Sequence, residues 1–392
     1  MATVSRGVRA PIIRRGDDIV KITVDSVLAQ AEKEGFSLHD RDVIAVTEAV
    51  VARADGNYAR VDDIADDVKA KLGEHIGLVF PILSRNRFSI CLKGLARGAK
   101  KITLLLSYPA DEVGNHLVDP DMLEEAGVNP YSDVLTEADM YRVCGGKCVH
   151  PFTGVDYIAF YRQLIEAEGC EAELVFANRP EVILNYTKDV ICCDIHTRER
   201  SRGRIKKAGG ERVLTLCDLL NEPVNGSGCC PQYGLLGSNK ATEETVKLFP
   251  KHAEEVAYGI KALVKQRTGV DVEAMVYGDG AFKDPVGKIW ELADPVVSPG
   301  FTDGLIGLPN ELKLKFLADN DYAELSGEEL AEKIRERIRE KNRNLKGSML
   351  SEGTTPRMLT DLIGSLCDLT SGSGDKGTPI VLVQDYFVNY AD

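Results

Sequence analysis

Hydrophobic positions recur with two different periods near the start of the chain, and each period predicts a different element. The stretch DVIAVTEAVVARADG, residues 42–56, is rich in β-branched and small apolar residues and predicts a pair of strands. Ile64, Val68 and Leu72 then follow at intervals of four residues. That spacing places them on one face of an acidic amphipathic helix.

From about residue 100 the pattern changes to short apolar runs separated by helical segments. The predicted strands are 102–106, 174–177, 190–195 and 213–216, with helices around 155–167 and 198–208. Alternation of this kind is typical of a parallel α/β unit. We therefore predict a mixed α/β protein in three parts: a catalytic body begun by 1–98, an inserted α/β module at 99–230, and the rest of the body at 231–392.

The last part opens with a stretch, 241–269, that is predicted to be mostly helical and to end at Gly269 as a C-cap. A strand follows at 272–277. Ser326 and Glu329 have the spacing of a capping box, which predicts the start of a charged helix over 327–342. Pro356 predicts the first turn of the last helix.

A glycine-rich loop lies between this last helix and a short β-branched strand at 380–383. Residues 371–375 read Ser-Gly-Ser-Gly-Asp, which is longer and more flexible than a helix-to-strand turn requires. Glycines allow positive φ and close approach of the backbone to a ligand, and consecutive N–H groups bind anions. The loop matches neither a P-loop nor a Rossmann fingerprint, since it follows a helix and opens a strand. It is either a simple turn or a phosphate-binding loop of another architecture.

A second candidate site follows the strand at 272–277. Asp279 stands between two glycines at the end of that strand, and Lys283, Asp284 and Lys288 follow within nine residues. Carboxylates beside lysines suit a divalent ion that bridges phosphates, because oxygen ligands bind Mg²⁺ and lysine neutralises phosphate charge. The alternative is a loop with turn-forming Asp and Gly. The segment RAPIIRRGDDI near the start also has two interpretations: it is either a ligand-binding loop or an edge strand followed by a turn.

Composition narrows the function classes. The net charge of −13, from 48 basic and 61 acidic residues, argues against a non-specific nucleic-acid binder. No apolar run has the ~18–20 residues of a membrane span. We expect a cytoplasmic protein. Among the ten cysteines only Cys144 and Cys148, with His150, have a spacing to weigh for zinc, and it is wider than the usual Cys-x-x-Cys.

Four segments, taken in order, resemble the coenzyme F420-0:γ-glutamyl ligase family, which adds glutamate to a deazaflavin cofactor with GTP. They are APIIRRGDDI, DRDVIAVTEAVVARADG, the run from GLLGSNK to VYGDG, and DLIGSLCDLTSGSGDKGTPIVLV. The likeness covers roughly 8–95, 234–300 and 355–385, and 100–230 has no counterpart. None of the four motifs is specific to the family by itself, and the resemblance rests on their occurrence in the same order.

The resemblance implies a nucleotide site, a metal site and a homodimer. Asp279, Lys283 and Lys288 would be catalytic, and Asp279, Asp284 and Ser373 would hold Mg²⁺ or Mn²⁺. The guanine nucleotide would be contacted by Ala10, Pro11, Ile12, Ile13, Thr47, Glu48, Arg53, Asn239, Ser371, Gly372, Ser373, Gly374, Asp375, Lys376, Gly377 and Thr378.

This chain also departs from the family's pattern. The first metal aspartate of the family falls on Leu236, the threonine after the second on Gly280, and a metal-contacting glutamine on Ser373. A further glutamine is replaced by Glu48, and a lysine by Arg53. Asp194 or His196 in the insertion is a candidate replacement for a lost ligand, although both are also common loop residues.

The implied reaction is nucleotide- and metal-dependent ligation of glutamate to a carboxylate acceptor through an acyl phosphate. The small-molecule partners would be GTP, glutamate and coenzyme F420-0 or a similar acceptor. Three alternatives remain open from the residues: a ligase for a folate or another acceptor, a nucleotide-binding regulator without ligase activity, and a structural protein whose glycine loops are only turns.

Overall fold

The computed structural model describes residues 2–150, 153–278, 281–283, 290–292, 298–351, 357–371 and 374–392, with the backbone alone at 281–283 and 290–292. The described strands, in chain order, are β1 (Val4–Val8), β2 (Val43–Thr47), β3 (Tyr58–Arg60), β4 (His75–Val79), β5 (Lys101–Leu106), β6 (Leu135–Thr136), β7 (Glu171–Phe176), β8 (Asp189–Cys192), β9 (Arg212–Thr215), β10 (Asn239–Lys240), β11 (Thr245–Lys247), β12 (Glu273–Tyr277), β13 (Ala281–Lys283), β14 (Trp290–Leu292), β15 (Gly300–Phe301) and β16 (Ile380–Gln384).

The described helices are α1 (Ile19–Glu34), α2 (Glu48–Asp55), α3 (Val61–Lys71), α4 (Phe88–Gly98), α5 (Pro120–Glu125), α6 (Glu137–Val143), α7 (Tyr157–Ala167), α8 (Arg198–Lys207), α9 (Ala253–Thr268), α10 (Leu314–Phe316), α11 (Gly327–Arg339) and α12 (Leu359–Thr370). The predicted mixed α/β class is confirmed.

The chain termini meet in a five-stranded sheet with the order β1-β16-β2-β12-β15. β2 and β12 are parallel, and the other neighbouring pairs are antiparallel. Both faces of the sheet are buried. Ile44, Val46 and their neighbours pack under α1 and α9, whereas Val43 and Ala45 face α12. Burial on both faces explains why β2, β12 and β16 are mostly apolar, whereas the edge strand β1 is more polar and partly exposed.

A second sheet has six strands in the order β6-β7-β5-β4-β8-β9, and only β6 runs antiparallel to its neighbour. Its parallel strands confirm the strand–helix alternation predicted between residues 100 and 220. The sheet starts at β4, so the predicted boundary between 98 and 99 falls between α4 and β5, inside this layer. A small third sheet has the order β10-β11-β3. Its strands lie where the chain passes from one large sheet to the other: β3 comes between β2 and β4, and β10 and β11 come between β9 and β12.

Two sequence predictions of elements were wrong. The stretch 42–56 is one strand followed by a helix, because Thr47 is extended and the alanine-rich segment after it turns helical until Gly56 ends it in the left-handed conformation. Within 241–269 the helix begins only at Ala253. The residues before it form β11, and Pro250 prevents a helix from extending back through Phe249.

Predictions of helix ends had mixed outcomes. Gly269 is confirmed as the C-cap of α9, with φ 78° and its N–H bonded to the carbonyl of Lys265. Ser326 stands at the N-cap of α11, but its side chain makes no capping hydrogen bond, so the capping box was wrong. Pro356 lies outside the described residues, and α12 is described from Leu359.

Close packing of α3 on α4 depends on a glycine, which gives a test. A Cβ atom at Gly94 would lie 2.6 Å from the Cβ of Ile64, whereas one at Gly203 in α8 would meet nothing within 4 Å. Gly94→Ala should lower the free energy of unfolding by about 1–3 kcal/mol through overpacking. Gly203→Ala should raise it by roughly 0.5–1 kcal/mol, because alanine favours the helix.

Urea unfolding followed by circular dichroism measures both variants. Equal midpoints for Gly94→Ala and Gly203→Ala would show that α3 and α4 are not in this close contact.

Candidate active site

One row of paired residues runs across four strands of the five-stranded sheet and marks the end of the sheet at which β1, β2 and β12 stop. This end is called the edge of the sheet below. Val8 pairs with Ile380, Ile380 with Val46, and Val46 with Val276. β1 ends in this row, β2 and β12 end one residue beyond it, and β16 begins in it. The four segments predicted to bind a ligand follow or precede these strands. They therefore leave the sheet at a single edge.

Backbone hydrogen bonds fasten the first and last segments to each other. The N–H of Ala10 donates to the carbonyl of Gly377 at 3.2 Å, and the N–H of Thr47 donates to the carbonyl of Pro379 at 3.0 Å. Gly7 lies so close to the side chain of Thr378 that a Cβ atom would approach it to 3.2 Å. The loop that closes before β16 is thus held against both the N-terminal segment and the end of β2.

Several predicted contact residues present exposed side chains or backbone at this edge. Ile12 is 80% exposed and Ile13 is buried in the core below it. Arg53 lies exposed on α2. The last loop is exposed at Gly374, Asp375, Lys376 and Gly377, Ser371 is half-buried, and Thr378 is buried. This combination of open loop and fixed ends leaves space for a ligand against the backbone.

A cleft of 430 Å³ on the β1–β16 side of this edge is lined by basic side chains. Arg9 comes from the segment after β1, Lys33 from α1 and Lys376 from the last loop. The cleft concentrates positive charge on a protein of net charge −13. Phosphate groups are attracted by such local charge. Sequence reasoning quoted the segment that begins with Arg9 but gave Arg9 no role, and it missed Lys33, because α1 contributes only through its position in the fold.

Glu48 forms a buried ion pair that sequence reasoning also missed. Both its carboxylate oxygens accept hydrogen bonds from Lys247 Nζ, at 2.7 and 2.8 Å. The two side chains are only 7% and 11% exposed. Lys247 pairs across β11 and β10 with Asn239, so Glu48 and Asn239 are brought together through this lysine. Because Lys247 binds both carboxylate oxygens of Glu48, the Glu48 side chain is already paired with a protein group.

Leu236 stands where the resemblance places a metal-binding aspartate, and it is part of the hydrophobic core. It is 1% exposed and packs in the cluster that covers the six-stranded sheet. A leucine side chain offers no ligand atom, so this position takes no part in a metal site. Asp279, Gly280, Asp284, Lys288, Gly372 and Ser373 lie outside the described residues, as does the side chain of Lys283.

Asp194 and His196, the candidate replacements for a lost ligand, follow β8 in the other sheet. Asp194 is fully buried and accepts hydrogen bonds from the hydroxyls of Thr197 and Ser201, at 2.6 and 2.8 Å. Its Oδ1 makes no hydrogen bond among the described atoms. Burial raises the pKa of Asp194 to about 6. The side chain thus secures the start of α8, and His196 is exposed beside it.

Two other groups of possible metal ligands have different explanations. Cys144 and Cys148 are joined in a disulfide, which removes them from the zinc alternative. Among the described residues, His39, Asp42 and Asp385 have ligand atoms within 4.8 Å of one another. They lie where β2 begins and β16 ends, at the opposite end of the sheet from the candidate site. Asp42 there accepts hydrogen bonds from Gln384 and from the backbone of His39.

The fold and the site together define an α/β protein with a ligand-binding edge built from four separated segments. The chain matches the sequence profile of the F420-0:Gamma-glutamyl ligase family over residues 7–385, and it belongs to that family. One similar protein is the coenzyme F420:L-glutamate ligase of Methanosarcina acetivorans, 30% identical over 84 residues. That match covers 20% of this chain and 30% of the relative's length. No helix among the described residues is long and apolar enough to cross a membrane.

The buried ion pair predicts a large and asymmetric effect of mutation. Lys247→Met should lower the free energy of unfolding by about 3–5 kcal/mol, because it leaves the carboxylate of Glu48 buried without its partner. The double variant Glu48→Gln/Lys247→Met should recover most of this loss, since the buried charge is then gone. Urea unfolding of both single variants and the double variant measures the coupling.

The exposed pair of Lys21 and Asp25, at 2.6 Å, is the matched control. Lys21→Met should change stability far less, because solvent screens that pair. Similar losses for the two lysine variants would contradict burial of the Glu48–Lys247 pair.

Asp194 predicts a pH dependence of stability. Its folded-state pKa, about 6, exceeds the unfolded value, so the folded state binds the proton more tightly. Its stabilising contribution is therefore complete below about pH 4 and is lost as pH rises through 6. Relative to Asp194→Asn, the parent should lose about 2–3 kcal/mol over that interval. Unfolding free energies at several pH values test this, and parallel curves for parent and variant would refute it.

Proposed function

We propose that this chain is a GTP-dependent γ-glutamyl ligase that joins L-glutamate to a carboxylate-bearing acceptor such as coenzyme F420-0. The observation that carries the proposal is the edge of the five-stranded sheet. There the segments that resemble the family's nucleotide contacts are fastened together by the Ala10–Gly377 and Thr47–Pro379 hydrogen bonds. A family match over nearly the whole chain supports the same activity.

The nucleotide in this proposal lies along the edge between the N-terminal segment and the last loop. Backbone groups of Ala10, Pro11, Ile12 and Ile13 contact the base, and the loop from Ser371 to Thr378 wraps the phosphates. Lys376 and Arg9 offset phosphate charge from the basic cleft. Thr47, Arg53 and Asn239 complete the contacts from the second and third segments.

Asp279 and Asp284 are the proposed ligands of Mg²⁺ or Mn²⁺, with Ser373 as a third oxygen. The ion would neutralise developing charge on the phosphates. An acceptor carboxylate oxygen attacks the γ-phosphorus of GTP, and GDP leaves. The amine of glutamate then attacks the acyl carbon, forms the amide bond and releases phosphate and a proton. Lys283 and Lys288 stabilise the phosphate oxygens during both steps.

The proposal includes a homodimer and a cytoplasmic location, as the family resemblance implies. A nucleotide-binding regulator without ligase activity is the second candidate. The apolar Leu236 at an expected metal position favours it, because one ligand fewer weakens metal binding.

Asp279→Asn tests the proposed metal site directly. Replacing the carboxylate with an amide removes a full charge that faces the metal and the triphosphate. We expect Mn²⁺-dependent GTP binding, measured by calorimetry, to weaken at least about tenfold, which corresponds to about 1.4 kcal/mol. Asp271→Asn, at an exposed aspartate before β12, is the matched control and should bind GTP like the parent.

Turnover separates the two candidate functions. Phosphate release from GTP that requires both glutamate and the acceptor supports the ligase, whereas tight GTP binding with no turnover supports the regulator. Absence of GTP binding by the parent with millimolar Mn²⁺ would refute both.

A further inference from the structure

The six-stranded sheet has a topological switch point that the proposed ligase site does not use. Numbered by their order in the chain, its five parallel strands lie 3-2-1-4-5 across the sheet, with β4 as the first and β8 as the fourth. In doubly wound sheets, ligands bind beyond the carboxyl ends of the strands at the point where the order reverses. Here that point lies between the loop after β4 and the loop after β8.

The inner part of this crevice is filled by the protein itself. Leu235 and Leu236, Phe88 of α4 and Ile195 after β8 line this part, and only 30 Å³ of space remains among them. A dinucleotide therefore has no room there. A separate cavity of 210 Å³ lies between the loop after β4, the loop after β5 and the start of α7. It is lined by Ser84, Arg85, Asn86, Arg87, Asn115 and Thr153 together with Tyr157 and an apolar wall.

The loop after β4 is held in place by two buried polar side chains. Tyr161, which is fully buried, donates its hydroxyl to the carbonyl of Ile82 and accepts the N–H of Ser84 at 2.8 Å. Asp111 accepts the N–H of Leu83 at 2.8 Å and also binds the side chain of Asn115. Burial raises the pKa of Asp111 to about 6. Burying polar groups is costly, and here they fix a rigid loop that presents two arginines.

The chemistry of the loop favours a carboxylate over a phosphate. Phosphate at a helix N-terminus is bound by free backbone N–H groups on a glycine-rich turn. Residues 80–87 contain no glycine, and the N–H groups of Leu83, Ser84 and Arg87 already donate within the protein. With these three N–H groups already used, the side chains that line the cavity are its main recognition groups. Arginine forks bind both carboxylates and phosphates in a bidentate manner. The preference for a carboxylate therefore rests on the lack of a glycine-rich anion loop and on the neighbouring hydroxyls and amides, which suit an amine or a second carboxylate.

We propose that this cavity is a binding site for a small carboxylate of the size of an amino acid or dicarboxylate, with Arg85 as its main anchor. The cavity adjoins the proposed ligase site, because the carbonyl of Asn86 accepts the N–H of Lys240, next to Asn239, at 2.7 Å. The choice of glutamate as probe rests on the proposed function. The existence of the site rests on the cavity and its fixed loop.

Calorimetric titration of the full chain with L-glutamate, without nucleotide, tests the site. We expect saturable binding that weakens at least tenfold in Arg85→Gln and less in Arg85→Lys, which keeps the charge but loses the fork. Arg200→Gln, at an exposed arginine on α8, is the matched control and should bind like the parent. Glutarate should compete with glutamate, and inorganic phosphate at equal ionic strength should not.

Three results would overturn the site: no glutamate binding below about 10 mM, equal binding by Arg85→Gln and Arg200→Gln, or competition by phosphate as strong as by glutarate. GTP titrations of the same proteins keep the two proposals separate. A parent that binds glutamate through Arg85 but fails to bind GTP retains this site and loses the proposed ligase function. A parent that binds GTP but not glutamate loses this site alone.

Discussion

The register of β16 between β1 and β2 is the constraint on which the candidate ligase site depends. Both faces of β16 are apolar and buried, so hydrophobic pattern alone would not prevent a slip by one residue. Gln384 at its far end prevents it. This side chain is 4% exposed, donates to the carboxylate of Asp42 and the carbonyl of Ser37, and accepts from Arg6. With Gln384 fixed, the loop before Ile380 reaches the ends of β1 and β2.

A second set of polar contacts joins this sheet to the six-stranded layer. Asn57 is buried and uses its side-chain amide to bind the backbone of Cys229 and Phe249, which come from far along the chain. The Glu48–Lys247 pair lies where α2 meets the small sheet. Each of these side chains would be costly to bury alone, so the native arrangement is favoured over others that leave them unpaired. These contacts join α2 and the start of β3 to the segment after β9, to β11 and to the residues that follow β11.

The elements that were predicted correctly are those whose formation depends mainly on residues close together in the sequence. The parallel strands between residues 100 and 220, α3 and the C-cap at Gly269 follow from periodicity and from the needs of a helix end. The stretch after Thr47 misled because its valines favour a strand while its alanines allow the helix that packing selects. The ion pair of Lys247 with Glu48 joins residues 199 positions apart in the sequence. No local signal distinguishes Lys247 from any other lysine in a short strand, so this part of the site could not be predicted.

Leu236 bears both on the proposed metal site and on the crevice of the six-stranded sheet. At this position the family resemblance expects a metal-binding aspartate, and a carboxylate could not be buried where Leu236 lies without a partner. The leucine instead completes the core that closes the inner crevice beside Ile195. The side chain at the position of the expected aspartate thus offers no ligand atom and fills the switch-point crevice of the six-stranded sheet. The arginine-lined cavity lies beside the loop after β4, whose Asn86 carbonyl accepts the N–H of Lys240, so filling the crevice with leucine leaves that cavity open.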